Sequence, residues 1–134
     1  MTEGKIGKLR RKFRVLVAPL DWGLGHATRC VPMVRELLEN DCEVWLAGEG
    51  MQENLLRSEF PSLPFLPLNG YRVQYARSSV GFFSSVLFQI PKILIAIGQE
   101  HKWLRGAIKE HEFDAVISDN RFGLSHSNVP SVFI

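Results

Sequence analysis

The sequence predicts an α/β fold, an open parallel sheet with helices on both faces. Two observations carry this. First, strand-length apolar runs alternate with helix-length amphipathic segments along the chain. Second, the apolar, partly β-branched run Val15-Leu16-Val17-Ala18-Pro19 leads straight into a glycine loop, Asp21-Trp22-Gly23-Leu24-Gly25-His26-Ala27-Thr28-Arg29-Cys30. An amphipathic stretch, Val31 to Leu38, follows it. Strand, tight glycine loop and helix in that order make a Rossmann-like unit. Linking its strands in this way requires parallel pairing and a right-handed crossover.

The first strand is predicted from about Phe13 to Pro19 and the first helix from near Thr28. Cys30, Val31, Val34, Leu37 and Leu38 recur at helical spacing, with Arg35, Glu36 and Glu39 opposite them. That start puts Pro32 near the first turn, where a missing backbone donor costs least. Asn40-Asp41 turns the chain. Cys42 to Ala47 reads as a second strand, closed by Gly48-Glu49-Gly50. A short helix from about Gln52 to Ser58 stops before Pro61, and Pro64 to Leu68 reads as a third strand. Asn69-Gly70 opens a polar, aromatic loop with Tyr71, Arg72, Gln74, Tyr75 and Arg77.

Val80 to Ile97 is the most apolar segment. Gln89, Pro91 and Lys92 interrupt it, which argues against a membrane span. It is expected as a core-facing helix kinked at Pro91, the alternative being an exposed surface that touches lipid. A further helix is expected from Gln99 to about Glu110. Asp114 to Asp119 is then a buried parallel strand ending in a carboxylate, with Asn120-Arg121-Phe122-Gly123 as its loop. Ser131 to Ile134 begins one more strand. It ends within its apolar run, so the chain is expected to be the N-terminal part of a longer protein.

At 134 residues, 46% hydrophobic and 22% charged, the chain has the composition of one globular domain. Residues 1–12 read as a basic tail and 13–134 as the domain. Net charge is +2, too little to imply nucleic acid as a partner. Lys5, Lys8, Arg10, Arg11, Lys12 and Arg14 crowd the N-terminus, either as a solvated tail or as a patch for anionic lipid. No signal peptide is recognisable. Cys30 and Cys42 have no metal-ligand spacing, so no metal is expected. Both read as buried thiols of a reducing cytoplasm.

In open parallel sheets ligands sit outside the carboxyl ends of the strands. The loops Gly23–Arg29 and Asp119–Gly123 bring chemistry there from separate parts of the chain. Gly23 and Gly25 let a ligand approach the backbone, and the amides opening the helix favour an anion or a hydroxyl-rich sugar. His26 is the residue type whose unperturbed pKa lies near neutrality. Arg29 and Arg121 are candidate anion ligands. Gly23-x-Gly25-x-x-Thr28, with Glu49 beyond the second strand, also approaches the dinucleotide fingerprint. Bulky Trp22 and His26 beside the glycines fit that pattern poorly.

The loop and helix, with the strand ending at Asp119, resemble the N-terminal domain of GT-B fold glycosyltransferases. The peptidoglycan N-acetylglucosaminyltransferase and the UDP-glycosyltransferases are the relatives in kind. Gly23-Leu24-Gly25-His26-Ala27-Thr28-Arg29-Cys30 also resembles the Gly-x-Gly-His-x-x-Arg-Cys loop of the UDP-sugar hydrolase of the pseudaminic acid pathway. The resemblance implies the acceptor-binding portion of an inverting glycosyltransferase of hexosyltransferase type, inactive alone. A nucleotide-sugar hydrolase fragment and a non-catalytic sugar- or nucleotide-binding module are the alternatives. It further implies His26 as the base and Asp119 as its partner, with Gly23, Gly25, Thr28, Arg29 and Arg121 as binding residues. No cofactor is implied, and a UDP-sugar donor is expected only in the complete enzyme, on a C-terminal domain outside this chain. The expected partners are a sugar or lipid-linked acceptor and that donor domain. Peripheral contact with the inner face of the membrane is expected through residues 80–97 and the basic N-terminus.

Overall fold

The computed structural model describes residues 11–71 and 79–134. Lys5, Lys8 and Arg10 of the basic tail, and Arg72, Gln74, Tyr75 and Arg77 of the aromatic loop, lie outside them. The elements are β1 (Arg14–Pro19), α1 (Leu24–Glu39), β2 (Glu43–Gly48), α2 (Gly50–Glu59), β3 (Phe65–Pro67), α3 (Ser79–His111), β4 (Ala115–Asp119) and β5 (Ser131–Phe133). The five strands form one sheet in the order β3-β2-β1-β4-β5, and every pairing is parallel.

Alternation along β1 divides the core. Val15 and Val17 face Ala27, Cys30, Val31 and Val34 of α1 and Leu56 of α2. Leu16 and Ala18 face Leu104 and Ala107 of α3 and Phe113. Helices therefore cover both faces, as the sequence predicts. The strand order reverses at β1, because β2 and β4 flank it and the chain continues outward on either side. Crevices for ligands open at such reversals. Here the reversal falls between β1 and β4, at whose ends Pro19 is in register with Asp119.

Three expectations are corrected. Helix α1 begins at Leu24, a full turn before Thr28, with Gly23 as its N-cap at φ 81°. A left-handed glycine cap lets the chain enter the helix at once. Gly25, His26, Thr28 and Arg29 thus stand on the first two turns, and Pro32 lies mid-helix. Second, α3 is one helix of 33 residues that runs through Pro91, not two helices. Third, several apolar side chains of its described middle part do not face the core: Phe88 is 85% exposed, and Leu87, Leu94 and Ile95 are exposed as well. The reason is length. Thirty-three helical residues span roughly 50 Å, whereas the six-residue strands span roughly 20 Å. Only the C-terminal part of α3 can lie on the sheet. Among the described residues, no helix is long and apolar enough to cross a membrane.

Among the described residues, Arg11, Lys12 and Arg14 are paired at the amino end of the sheet. Arg11 forks onto Asp114, Lys12 meets Asp41 at 2.5 Å, and Arg14 reaches Glu43 and the carbonyl of His111. Cys42 is half-buried and Cys30 fully buried.

Candidate functional site at the carboxyl end of the sheet

β1 delivers the glycine loop and β4 delivers Asp119. Immediately after Asp119 the chain turns at Asn120, φ 55°, a conformation that asparagine tolerates better than most residues. Asp119 is 1% exposed, so its carboxylate must find partners within the protein. It finds two. Arg29 donates from Nη2 to Oδ1 at 2.5 Å and from Nε to Oδ2 at 3.2 Å. His26 places Nδ1 3.1 Å from Oδ2. The His26 side chain is 19% exposed, so one edge of its ring reaches solvent.

Sequence-distant residues are thus brought together as the loops suggested: His26, Arg29 and Asp119 form one cluster. A Cβ built on Gly23 or Gly25 would meet nothing within 4 Å. Open space therefore lies over this part of the loop. Thr28 takes a different part. Its hydroxyl donates to the Leu24 carbonyl at 2.8 Å, so it is engaged by its own helix.

Arg121 is not at the surface of the site, contrary to its expectation as an anion ligand. It is 1% exposed. Its Nε donates to Glu100 Oε1 at 2.6 Å, Nη1 to the Pro19 carbonyl at 3.1 Å and Nη2 to the Asn69 carbonyl at 2.5 Å. It follows the turn at Asn120, and protein acceptors take up its donors. Glu100 Oε2 also accepts from the Tyr71 hydroxyl at 2.8 Å and from the Gly123 amide at 3.0 Å. Tyr71 in turn accepts from the Phe122 amide. Burial and the Glu100 charge hold the Tyr71 phenol above its ordinary range. This network joins the end of β1, the segment after β3, α3 and the loop after β4.

Other supports were not foreseen. Gln52, 4% exposed, donates to the Gly23 carbonyl at 3.0 Å and fixes the glycine cap. Asp21 accepts from the Tyr71 amide and Glu49 from the Gly70 amide. Glu100 did leave a signal. It shares a helical face with Leu104 and Ala107, and a carboxylate on a buried face requires a cation or several donors. Gln52 stands in the same relation to Leu56.

Cys30 lies beneath the cluster. Burial, reinforced by the Asp119 charge, pushes its thiol up to about 12, which disfavours the thiolate. Among the described residues, no group of three His, Cys, Asp or Glu side chains could hold a metal. A cleft of about 490 Å³ opens between α3 and the segment after β3, lined among others by Asn69, Tyr71, Phe88, Lys92, Ile95 and Gln99. A larger cleft, about 610 Å³, lies along Pro67 and Trp103 and includes none of the clustered residues.

No protein-family model matches the chain, and no curated protein matches it by sequence. Solved structures do match by fold. MurG of Acinetobacter baumannii matches at 19% identity and TM-score 0.54, over 92% of this chain and 34% of its own. UGT2 of Phytolacca americana, complexed with UDP-2-fluoro-glucose and pterostilbene, matches at 17% identity and TM-score 0.55, over 86% of this chain and 27% of its own. The C-terminal domain of the PF1911 hydrogenase from Pyrococcus furiosus matches at 12% identity and TM-score 0.53, over 98% of this chain and 100% of its own. This chain thus spans about a third of MurG and a quarter of UGT2. At such identities the likeness is one of fold: the chain is an α/β, Rossmann-like parallel-sheet unit of the kind that GT-B glycosyltransferases contain.

Proposed function

We propose that the unit is the acceptor side of a glycosyl-transfer site, with His26 as general base. The observation that carries this is the approach of His26 Nδ1 to within 3.1 Å of the buried Asp119 carboxylate, at the reversal point of the sheet. An alcohol is a weak nucleophile at neutral pH and needs a base. With Nδ1–H donated to Asp119, Nε2 is free to take the acceptor's hydroxyl proton. The acceptor oxygen then bonds to the sugar's anomeric carbon as the bond to the nucleotide diphosphate breaks. Attack from the face opposite the leaving group inverts the anomeric centre. Asp119 offsets the unfavourable effect of the α1 N-terminus on the imidazolium that forms.

The donor would be held by a further domain, and this chain alone would not turn over. Asn69, Lys92 and Gln99 beside Phe88 and Ile95 give the nearby cleft a mixed lining, suited to an acceptor with a sugar head and an apolar tail. The exposed apolar face of α3 would lie against lipid.

The test is nucleotide release from a UDP-sugar by the complete protein, with and without acceptor. His26→Ala is expected to lower turnover by roughly 10²–10⁴-fold. Wild-type turnover in that variant would remove His26 as the base. Release that needs no acceptor would instead mark a nucleotide-sugar hydrolase, with water in the acceptor's place.

A further inference from the structure

Arg29 reaches both members of the dyad. Its Nη2 lies 2.5 Å from Asp119 Oδ1 and 3.1 Å from His26 Nδ1. His26 Nδ1 also lies 3.1 Å from Asp119 Oδ2. One ring nitrogen therefore faces a carboxylate, which only accepts, and a guanidinium, which only donates. In a neutral ring it satisfies one of them at a time. With the proton on Nδ1, it donates to Asp119 and Nε2 is bare. With the proton on Nε2, Nδ1 accepts from Arg29, and Nε2 has no lone pair to offer a substrate.

One feature favours the second arrangement in the resting protein. Asp119 already receives two donors and a full positive charge from Arg29, which weakens its pull on an Nδ1 proton. A protonated Nδ1 would face Nη2 donor to donor and a bare Nδ1 would face Oδ2 acceptor to acceptor, each at 3.1 Å, so the balance falls to how strongly Asp119 is already engaged.

We propose that Arg29 is a positioning residue that sets the tautomer of His26. It holds the proton on Nε2 at rest. When the guanidinium moves onto an oxyanion of a bound ligand, Nδ1–H returns to Asp119 and Nε2 becomes the base. The Arg29 side chain is 56% exposed, so it can swing out without unpacking the core. An oxyanion is the ligand class that competes for a guanidinium already forked onto a carboxylate. The catalytic consequence rests on the reading of His26 as a base; the tautomer itself does not.

The experiment is ¹⁵N NMR of the histidine rings in the full 134-residue chain, at a pH where the rings are neutral. His26 is assigned by its loss in His26→Gln. The wild type is expected to carry the proton on Nε2. Arg29→Met, which keeps length and removes the donors, should move it to Nδ1, changing the tautomer ratio by about tenfold or more. Inorganic pyrophosphate should move the wild type the same way and leave Arg29→Met unchanged. A wild-type ring already protonated at Nδ1 overturns the proposal and needs no variant to read. So does a tautomer that Arg29→Met leaves unmoved. A wild type indifferent to pyrophosphate overturns release by an oxyanion. All of these are read without turnover. A tautomer that responds while His26→Ala keeps full activity would sink the general-base reading alone.

Discussion

Replacing Arg121 with methionine removes the cation from a buried network while keeping an unbranched side chain of comparable reach. The pair it breaks is dry: the side chains of Arg121 and Glu100 are 1% and 3% exposed. Truncating one partner of such a pair costs about 3–5 kcal/mol, because the other charge stays behind in a poor solvent. Here the Glu100 carboxylate would keep only the Tyr71 hydroxyl and the Gly123 amide on Oε2, and the Pro19 and Asn69 carbonyls would each lose a donor. A domain of this size has about 5–15 kcal/mol in all. The loss would lower Tm by about 10–20 °C, at about 4 °C per kcal/mol. Glu100→Gln tests the same contact from the other side, since its amide keeps one oxygen for Tyr71 and Gly123 and loses the charge that holds Arg121. The double variant leaves no charge within this network. It should be more stable, by at least about 2 kcal/mol, than the sum of the two single losses implies. Urea denaturation of the four proteins, compared at unchanged m-value, gives these differences directly. A loss under about 1 kcal/mol for Arg121→Met, or additive losses in the double variant, would refute the reasoning.

Native alkylation should modify Cys42 and spare Cys30, whose thiol burial pushes up to about 12; equal rates before denaturation would contradict that placement. Asp114 is held below the usual carboxylate range, first by the Arg14 amide and then by the Arg11 guanidinium. Its contribution is therefore present above the ordinary carboxyl range and lost as pH falls through the lowered value. Asp114→Asn should cost up to about 1 kcal/mol at neutral pH and nothing in strong acid, and a cost unchanged across that range would disprove the linkage. Phe88, Leu94 and Ile95 present an exposed apolar strip on α3. Phe88→Lys should reduce binding of a hydrophobic dye with Tm shifted by under about 2 °C, whereas a large loss of stability would show that Phe88 is packed.

The sheet was legible because each strand is a short apolar run between turn residues, and its parallel pairing followed from the intervening helices. The start of α1 was misplaced because Gly23 and Gly25 read as loop. Glycine opposes helix by propensity, yet here one caps the helix and the other lies in its first turn. The run Val80 to Ile97 is apolar nearly all round, so periodicity marked a helix without saying which face was buried. Its outward face follows from the mismatch between helix and strand lengths, a tertiary fact. His26 and Asp119 were paired through the resemblance to UDP-glycosyltransferases and by element order: one follows β1, on the first turn of α1, and the other ends β4. Arg121 was expected as an anion ligand because its loop follows the carboxyl end of a strand, and nothing in that loop showed that Glu100 would bury it. After the left-handed turn at Asn120, the Arg121 guanidinium is bonded to Glu100 and to the Pro19 and Asn69 carbonyls.

A double-variant cycle on turnover of the complete protein tests the dyad most directly. His26→Ala, Asp119→Asn and their combination are measured with saturating UDP-sugar and acceptor. If Asp119 acts by orienting His26, its substitution costs less than loss of the base. Once His26 is gone, losing Asp119 as well should cost nothing further, to within about threefold in kcat. If the two losses instead multiply, the residues act independently, and the account of Asp119 as the partner of a His26 base is wrong.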